Sequence, residues 1–375
     1  MSRFHLTPLA LSLPATVPFV GPETQERARG RPFAARLGAN ENGFGPSPRA
    51  IKAMQAAAGD IWMYGDPESH DLRAALARHH GVAADNVIVG EGIDGLLGYL
   101  VRLFVGQGDA VVTSDGAYPT FNYHVAGFGG VLHKVPYGTD NAEDPEALFR
   151  TAARVGARLV YLANPDNPMG SWHSGDTILR AMADHLPADC LLVLDEAYVE
   201  FAPDSTAAEV APDDPRLIRM RTFSKAYGMA GARVGYALGH PELIAAFHRV
   251  RNHFGMNRAA QAGALAALAD QDWLRDSCAR VAASRDVIAA LARAQGLVAR
   301  PSATNFVAVD CGGDGALARR VLDGLLARGV FVRMPFVAPQ DRCIRISCGP
   351  EAAMQALADA LPAALAEARG ADTQT

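Results

Sequence analysis

Short apolar runs and helical segments alternate between Pro67 and Gly239. The apolar runs cover residues 87–89, 110–112, 159–162 and 191–194, and segments 71–80 and 94–104 have a helical pattern. Because buried strands separated by helices form a largely parallel sheet covered on both faces, the pattern predicts an α/β fold. Ligands of such sheets bind beyond the carboxyl ends of the strands, so chemistry is expected in the loops there.

The two ends of the chain differ from this central region. The first residues, up to about position 35, are rich in Pro, Gly and Arg and have no periodicity, which predicts an extended arm. After about His240 the chain becomes helical, and strand-like pieces then alternate with helices. The helical segments are 259–270, 278–294, 315–327 and 352–366, and the strand-like pieces are 305–309, 330–333 and 344–347. This pattern indicates a second, smaller α+β unit.

Composition argues against several functional classes. The formal net charge is −5 and no cluster of Lys and Arg stands out, which disfavours a nucleic-acid surface. The five cysteines form no C-x-x-C pair, which disfavours both a disulfide framework and a metal site. No apolar run approaches the roughly 18 residues that indicate a membrane span. We therefore expect a cytoplasmic protein that binds small molecules rather than nucleic acid or a membrane.

One loop combines a lysine with groups that bind phosphate. A loop lysine is usually a solvated surface group, but Thr222 and Ser224 place hydroxyls beside Lys225, and Arg233 follows with a guanidinium fork. A lysine that bonds covalently to a carbonyl carbon must react as the neutral amine, which burial beside a cation favours. Lys225 is therefore the candidate catalytic residue.

Three further loops follow or precede predicted strands. Asp195 comes directly after the run 191–194, and Tyr198 follows it. Such an aspartate often only caps a turn, but a buried one would keep a pyridine nitrogen protonated and make the ring an electron sink. Two Asn-Pro pairs can form only a stiff turn, but such a turn can also fix Asn167 beside a planar ring. Gly90-Glu91-Gly92 can simply turn the chain, or it can offer backbone N–H groups to a phosphate at a helix N-terminus.

Together these segments resemble the class I and II aminotransferases of fold type I, which use pyridoxal phosphate (PLP). The Ser-Lys-x₇-Arg spacing, the Asn-Pro-x-Asn-Pro-x-Gly loop and the Asp-x-x-Tyr element occur in the order of that family. The resemblance implies transfer of an amino group from an amino donor to a 2-oxo acid. It also implies a large PLP-binding domain at 51–270 around a mostly parallel, seven-stranded sheet, a smaller α+β domain at 36–50 and 271–375, and an arm at 1–35.

The resemblance also implies a role for each candidate residue. On the cofactor side these are Lys225 for the covalent bond, Asp195 for the ring nitrogen, Asn167 and Tyr198 for the phenolic oxygen, Tyr118 for stacking on the ring, and Ser224, Arg233, Thr222 and the backbone of Glu91 and Gly92 for the phosphate. On the substrate side, Arg345 matches the arginine that clamps the α-carboxylate.

Within the family, residues 38–48 resemble the corresponding run of the histidinol-phosphate aminotransferases. That likeness adds Asn42 and Arg333 on the substrate side. It also implies a homodimer with shared active sites, in which Tyr64 reaches the cofactor phosphate of the neighbouring subunit.

Two departures bear on the amino donor. Phe19, in the segment that begins at Pro18, stands where those enzymes have a tyrosine whose hydroxyl contacts the substrate phosphate, and Arg258 adds a cation near the expected substrate entrance. The sequence therefore leaves open whether the donor is histidinol phosphate or an aromatic amino acid. It predicts that histidinol phosphate is accepted poorly, or no better than an aromatic amino acid.

Two other functions use the same fold. A PLP-dependent decarboxylase, of the type that acts on threonine phosphate, has the same cofactor pocket, because the outcome depends on which Cα bond lies perpendicular to the ring. A PLP-binding transcription regulator carries an added DNA-binding domain, for which an arm of 35 or so residues leaves no room. Release of carbon dioxide without a 2-oxo acid would distinguish the decarboxylase.

Overall fold

The computed structural model describes residues 4–15, 19–207 and 214–370. Pro18, residues 1–3 of the arm and residues 371–375 of the smaller predicted domain lie outside this part of the chain. The helices are α1 (Pro8–Ser12), α2 (Pro22–Arg29), α3 (Pro48–Ala57), α4 (His70–His80), α5 (Gly92–Phe104), α6 (Pro119–Gly127), α7 (Pro145–Val155), α8 (Gly175–His185), α9 (Pro241–Phe247), α10 (Arg258–Leu268), α11 (Gln271–Ala294), α12 (Gly315–Ala327) and α13 (Glu351–Gly370).

The strands fall into one large and two small sheets. They are β1 (Ala35–Arg36), β2 (Val87–Gly90), β3 (Ala110–Ser114), β4 (Val131–Val135), β5 (Leu159–Ala163), β6 (Leu191–Asp195), β7 (Leu217–Thr222), β8 (Gly235–Gly239), β9 (Val298–Ala299), β10 (Phe306–Asp310), β11 (Val330–Phe331) and β12 (Cys343–Ser347).

The large sheet has seven strands in the order β2-β8-β7-β6-β5-β3-β4. Neighbouring strands from β7 to β4 run parallel, and β8 is antiparallel to both β2 and β7. The mostly parallel α/β sheet predicted from the alternating pattern is therefore confirmed. Every residue of β5 and β6 is buried. Strands in this position must be apolar on both faces, because helices cover both sides of the sheet.

The arm contains two short helices where an extended segment was predicted. Pro22 occupies the first turn of α2, and Gly30 after its last turn has φ 69°. Proline suits the first turn because no intrahelical N–H is needed there, and glycine accepts the left-handed backbone that ends a helix. The prediction of an extended arm was wrong for these two stretches, since a helix of one or two turns is too short to show periodicity.

The helices and strands fall into two groups according to which elements they contact. Strand β1 pairs with β11, and β12, β10 and β9 form a three-stranded antiparallel sheet beside α11, α12 and α13. Helix α3, in contrast, packs on α10. These contacts agree with a division near residues 50 and 270, and we propose it as the domain boundary. In the described part of the chain, no helix is both long and apolar enough to cross a membrane.

Candidate active site

Adjacent parallel strands bring three predicted segments to one edge of the large sheet. Ala163 at the end of β5 lies opposite Asp195 at the end of β6, which in turn lies opposite Met220 near the end of β7. The Asn-Pro loop, the aspartate and the lysine loop follow these strand ends directly, so parallel pairing alone places them side by side.

Lys225 is half-buried in the loop after β7, and its amine donates a hydrogen bond to the carbonyl oxygen of Asn40 at 3.1 Å. Its nitrogen also lies 5.6 Å from the centre of the Tyr198 ring. Burial, assisted by the positive charge of Arg345, lowers the pKa of this amine to about 8. A lysine with such a pKa is neutral far more often near pH 7 to 8 than an exposed one, and the neutral amine is the form that attacks a carbonyl carbon.

Asp195 is buried, and both of its carboxylate oxygens accept hydrogen bonds. Tyr161 donates its hydroxyl to Oδ2 at 2.7 Å, and the N–H of Ala197 donates to Oδ1 at 3.0 Å. Burial raises the pKa of the carboxyl group to about 6. Among the described residues, no Lys, Arg or His forms an ion pair with it. A buried carboxylate with only neutral donors is suited to a cationic partner that the chain does not supply.

The residues predicted to bind phosphate lie together at the start of α5. Arg233 has φ 56°, unusual for an arginine, and its Nη1 donates to the hydroxyl of Ser224 at 3.2 Å. A Cβ atom on Gly92, itself at φ 78°, would lie only 2.4 Å from Nη2 of Arg233. Glycine is therefore required at 92, and it lets the guanidinium reach the N-terminus of the helix. Backbone N–H groups, a hydroxyl and a guanidinium are donors suited to a dianionic phosphate.

Thr222 and Glu91, the other residues predicted at the phosphate, use their side chains within the protein. Thr222 donates its hydroxyl to the carbonyl oxygen of Val234 at 3.2 Å and accepts the N–H of Ser224 at 3.0 Å. Its single O–H is thus committed within the protein, so Thr222 is suited to positioning Ser224 rather than donating to a phosphate. The Glu91 side chain accepts the hydroxyl of Tyr99 at 2.9 Å, and the Glu91 backbone remains at the start of α5.

The residues expected around the ring lie close to one another. The Tyr198 hydroxyl accepts a hydrogen bond from the side chain of Asn40 at 3.0 Å. Tyr118 stands at the N-cap of α6, where burial raises its pKa and the charges of Asp195 and Arg233 act on it. Asn167 is buried and accepts a hydrogen bond from Arg345 through its side-chain oxygen.

The substrate-side arginines are neighbours across an antiparallel bridge. The N–H of Arg345 donates to the carbonyl oxygen of Arg333 at 2.6 Å. Arg333 extends toward the arm, donates to the carbonyl of Val20 and lies with its guanidinium carbon 3.9 Å from the Phe19 ring centre. Each arginine keeps a buried Nε without a hydrogen-bond partner. Two adjacent cations with unused donors are suited to an anionic substrate group.

Asn42 is hydrogen-bonded to the loop that carries Lys225. Its amide nitrogen donates to the carbonyl oxygens of Lys225 and Ala226, both at 3.2 Å, and to the hydroxyl of Ser277 at 2.9 Å. Its oxygen accepts the N–H of Phe44 at 3.2 Å. These contacts support the lysine loop, and the role of Asn42 in contacting the substrate stays a prediction.

Tyr64 and Arg258 lie together at the surface. Tyr64 is 75% exposed and stacks on Phe254 with ring centres 4.5 Å apart. Arg258 donates to the backbone oxygen of Tyr64 at 2.9 Å. No hydrogen bond or ring contact joins Tyr64 to Ser224 or Arg233 within the described part of this single chain.

Two site residues were not found from the sequence. Asn40, at φ 55°, receives the Lys225 amine through its backbone and holds the Tyr198 hydroxyl through its side chain. Tyr161 stands in the middle of the buried strand β5, where its hydroxyl needs a partner and finds Asp195. Asparagine tolerates positive φ better than most residues, and a tyrosine in an otherwise aliphatic buried strand requires a polar neighbour. Those are the signals that would have identified both.

These features fit PLP. Asp195 lacks a cationic partner, Gly92 leaves room at the helix N-terminus beside Arg233, and Lys225 supplies an amine with a lowered pKa. PLP carries a pyridine nitrogen, a phosphate and an aldehyde, one for each of these three positions.

Known proteins resemble this chain over nearly its whole length. The family described as aminotransferase class I and II matches residues 35–361. Histidinol-phosphate aminotransferase 1 of Mesorhizobium japonicum is 37% identical over 323 residues, which cover 85% of this chain and 87% of that protein. Histidinol-phosphate aminotransferase of Roseiflexus castenholzii is 35% identical over 364 residues, with 95% and 97% covered. The crystal structure of histidinol-phosphate aminotransferase from Sinorhizobium meliloti in complex with pyridoxal 5′-phosphate is 55% identical, has a TM-score of 0.93 and covers 98% of both chains.

Proposed function

The chain belongs to the class I and II aminotransferases, and from that premise we propose that Lys225, Asp195 and Arg233 hold PLP while histidinol phosphate is the amino donor. The protein is a PLP-dependent enzyme that transfers amino groups, and the decarboxylase alternative is not favoured by its relatives. The strongest support for the residue roles is the convergence of a lysine of lowered pKa and a carboxylate without a cationic partner at one sheet edge.

Bound PLP supplies an electron sink that weakens the Cα–H bond of the donor. Asp195 would keep the ring nitrogen in its charged form. Lys225 would move the proton from Cα, because its lowered pKa keeps much of the amine neutral near pH 8. Arg233 and Ser224 would hold the phosphate, Asn167 and Tyr198 would bind the phenolic oxygen, and Tyr118 would stack on the ring.

The paired arginines support a phosphorylated donor. A phosphate monoester carries a charge of about −1.5 to −2 at pH 7 and offers three acceptor oxygens, so it can engage two guanidinium groups at once. Arg345 and Arg333 are adjacent, and each has an unused buried nitrogen. The α-carboxylate of the acceptor, which we propose to be 2-oxoglutarate, needs only Arg345.

The surface around Tyr64 supports a homodimer with shared active sites. Trp62 is 79% exposed and Tyr64 75%, and Phe254, which stacks on Tyr64, is 51% exposed. Exposed aromatic residues grouped on one surface mark contact sites in soluble proteins. In this arrangement Tyr64 contributes its hydroxyl to the phosphate site of the partner. Light scattering of the purified protein at several concentrations tests the dimer directly.

We propose a cytoplasmic location because the cysteine thiols are unpaired. All five cysteines are unpaired, and four of them are buried in the core. Secreted proteins usually form disulfides, whereas the reducing cytoplasm keeps such thiols free.

The amino donor is tested by comparing kcat/KM for histidinol phosphate, phenylalanine, tyrosine and phosphothreonine at fixed 2-oxoglutarate. We expect histidinol phosphate to be used best, with glutamate formed in step with its loss and no carbon dioxide released. Arg333→Ala should lower kcat/KM for histidinol phosphate more than for phenylalanine. A wild-type preference for the aromatic amino acids, the result predicted from Phe19 alone, would overturn the proposed donor and leave the cofactor roles untouched.

A further inference from the structure

Tyr161 is the single tyrosine of strand β5 and has no exposed surface. Its ring stacks on Phe121 with centres 4.7 Å apart and planes 17° from parallel. This stacking fixes the orientation of the ring, and the hydroxyl donates a hydrogen bond to Oδ2 of Asp195 at 2.7 Å. A buried hydroxyl costs free energy unless it is hydrogen-bonded, and phenylalanine would fill the same space without that requirement. The hydroxyl therefore has a purpose beyond packing.

The surroundings of Asp195 leave this hydroxyl as its strongest side-chain donor. The other oxygen receives only the N–H of Ala197. Burial opposes the charge on Asp195, and the Tyr161 hydrogen bond is the largest influence that lowers its pKa again. Lys225 also favours the charge, and Glu196, which pairs with Arg219, disfavours it.

Among the described residues, the other titratable groups that act on this pair are the phenols of Tyr118, Tyr198 and Tyr137 and one carboxyl group. Tyr118 and Tyr198 both lie near Asp195, and burial raises the pKa of each, which keeps them neutral. Glu143 lies near Tyr161, and burial also raises its pKa. No other neighbour among these is placed to donate a hydrogen bond to Asp195.

We propose that Tyr161 is a positioning residue that keeps Asp195 charged and oriented, and through it sets the charge on the ring nitrogen of bound PLP. This rests on the proposed role of Asp195. The hydrogen bond fixes one carboxylate oxygen, so the other lone pairs point consistently toward the ring. It also lowers the proton affinity of the carboxylate, so the proton between Asp195 and the ring stays on the ring.

The experiment is a spectroscopic pH titration of the holoenzyme carrying Tyr161→Phe. Without the hydroxyl, the proton moves toward Asp195 and the ring withdraws electrons less strongly. The nitrogen that joins Lys225 to the cofactor then keeps its proton to higher pH. We expect the absorbance transition of the bound cofactor to move up by about half a pH unit or more, with kcat down about tenfold and KM little changed. Equilibrium dialysis should show weaker PLP binding.

Two matched substitutions separate this effect from packing. Tyr236→Phe removes another buried tyrosine hydroxyl, which pairs with His80 at 2.9 Å, and should leave the transition in place. Incorporation of 3-fluorotyrosine at 161 is nearly isosteric and makes the hydroxyl a stronger donor, so it should move the transition to lower pH. That variant also tests the inference if Tyr161→Phe does not fold.

Asp195→Asn separates the proposed role of Tyr161 from the proposed role of Asp195. It should move the transition further upward than Tyr161→Phe does. If Asp195→Asn moves the transition while neither change at 161 does, Tyr161 has no such role and the proposed function of Asp195 stands. If Asp195→Asn leaves both the transition and PLP affinity unchanged, the role of Asp195 fails and this inference fails with it.

Discussion

The cofactor side and the substrate side of the site differ in how completely their polar groups are partnered. On the cofactor side, Asp195 accepts two hydrogen bonds, and Ser224 is held by both Thr222 and Arg233. On the substrate side, Arg345 and Arg333 each keep a buried nitrogen without a partner. A fully partnered group holds one geometry, whereas an unpartnered buried donor gains most when an anion arrives.

The difference corresponds to what each side must bind. A cofactor that stays with the enzyme is best met by a rigid set of groups, since no reorganisation is then needed during reaction. Two different substrates must use the other side in turn, a phosphorylated amine and a 2-oxo acid in our proposal. Arginines with spare donors can serve both, because the guanidinium offers five N–H groups.

Among substitutions on the cofactor side, Lys225→Ala should lower kcat the most. Loss of the amine removes both the covalent attachment and the proton carrier, so kcat should fall on the order of 10⁴-fold. The chain has three lysines, Lys52, Lys134 and Lys225. Borohydride reduction of the holoenzyme followed by mass mapping should therefore place the cofactor on Lys225 alone. The exposed Lys52→Ala is the control, and cofactor found on Lys52 or Lys134 would contradict the assignment.

Arg233→Ala should weaken the cofactor side while leaving the fold intact. Truncating one partner of a buried charge pair costs about 2–5 kcal/mol, so PLP should dissociate at least about 30-fold more readily. Fluorescence titration of the apoenzyme with PLP measures this affinity. Arg216→Ala removes an arginine whose partner is Asp214 and should have no effect on PLP. Equal affinities for wild type and Arg233→Ala would mean that the phosphate binds elsewhere.

Part of the site was predictable because apolar runs mark the buried strands, and ligands of α/β sheets bind in the loops beyond the carboxyl ends of those strands. Asp195 and the Asn-Pro loop each follow a parallel strand, as the runs 191–194 and 159–162 indicated, whereas strand β7 before Lys225 was not among the predicted runs. Strand β4 was missed because exposed and half-buried residues such as Val131 and His133 interrupt its apolar character. Strand β8 contains two glycines in five residues, which reads as a turn.

The contacts within the site were less predictable, because they join distant parts of the chain. Asn40 meets Tyr198 across 158 positions, and Asn42 meets Ser277 across 235. No local pattern reveals such a pair, so the engagement of Asn42 in supporting the lysine loop could not be read from its neighbours. The committed hydroxyl of Thr222 is a similar case, since its acceptor Val234 lies on the neighbouring chain segment.

Phe19→Tyr should improve the use of a phosphorylated donor on the substrate side. The Phe19 ring already contacts the Arg333 guanidinium, and a tyrosine keeps that contact while adding a hydroxyl. A hydrogen bond to a charged group is worth about 1.5–3 kcal/mol, so kcat/KM for histidinol phosphate should rise about tenfold or more. Phenylalanine as donor should gain nothing, because it has no phosphate. Phe254→Tyr, at a ring that stacks on Tyr64, is the control. An equal rise for both donors would show that the hydroxyl acts on something other than the phosphate.

The Asn-Pro loop connects the two sides, and two buried carboxyl groups lie in contact beneath it. Asp166 precedes Asn167 and accepts the Tyr137 hydroxyl at 2.8 Å, while Glu143 accepts the N–H of Ala163 at 3.1 Å. Burial raises the pKa of Asp166 to about 6 and that of Glu143 well above its usual 4.5. Two adjacent buried carboxylates repel each other, so the pair retains a proton at a pH where exposed carboxyl groups have lost theirs.

Glu143→Gln should therefore change how stability depends on pH. Above the unfolded pKa near 4.5 the folded protein holds a proton that the unfolded chain releases, so the free energy of unfolding falls as pH rises toward the folded pKa. Glutamine mimics the protonated acid and cannot titrate, so between pH 5 and 8 the variant should lose about 1 kcal/mol less than wild type. Urea unfolding of the holoenzyme at fixed PLP across this range measures the difference. Glu68→Gln, at an exposed position, should keep the wild-type slope. If Glu143→Gln also keeps it, Glu143 does not hold the proton in the folded protein, and the proton of the pair lies on Asp166, whose pKa burial raises to about 6.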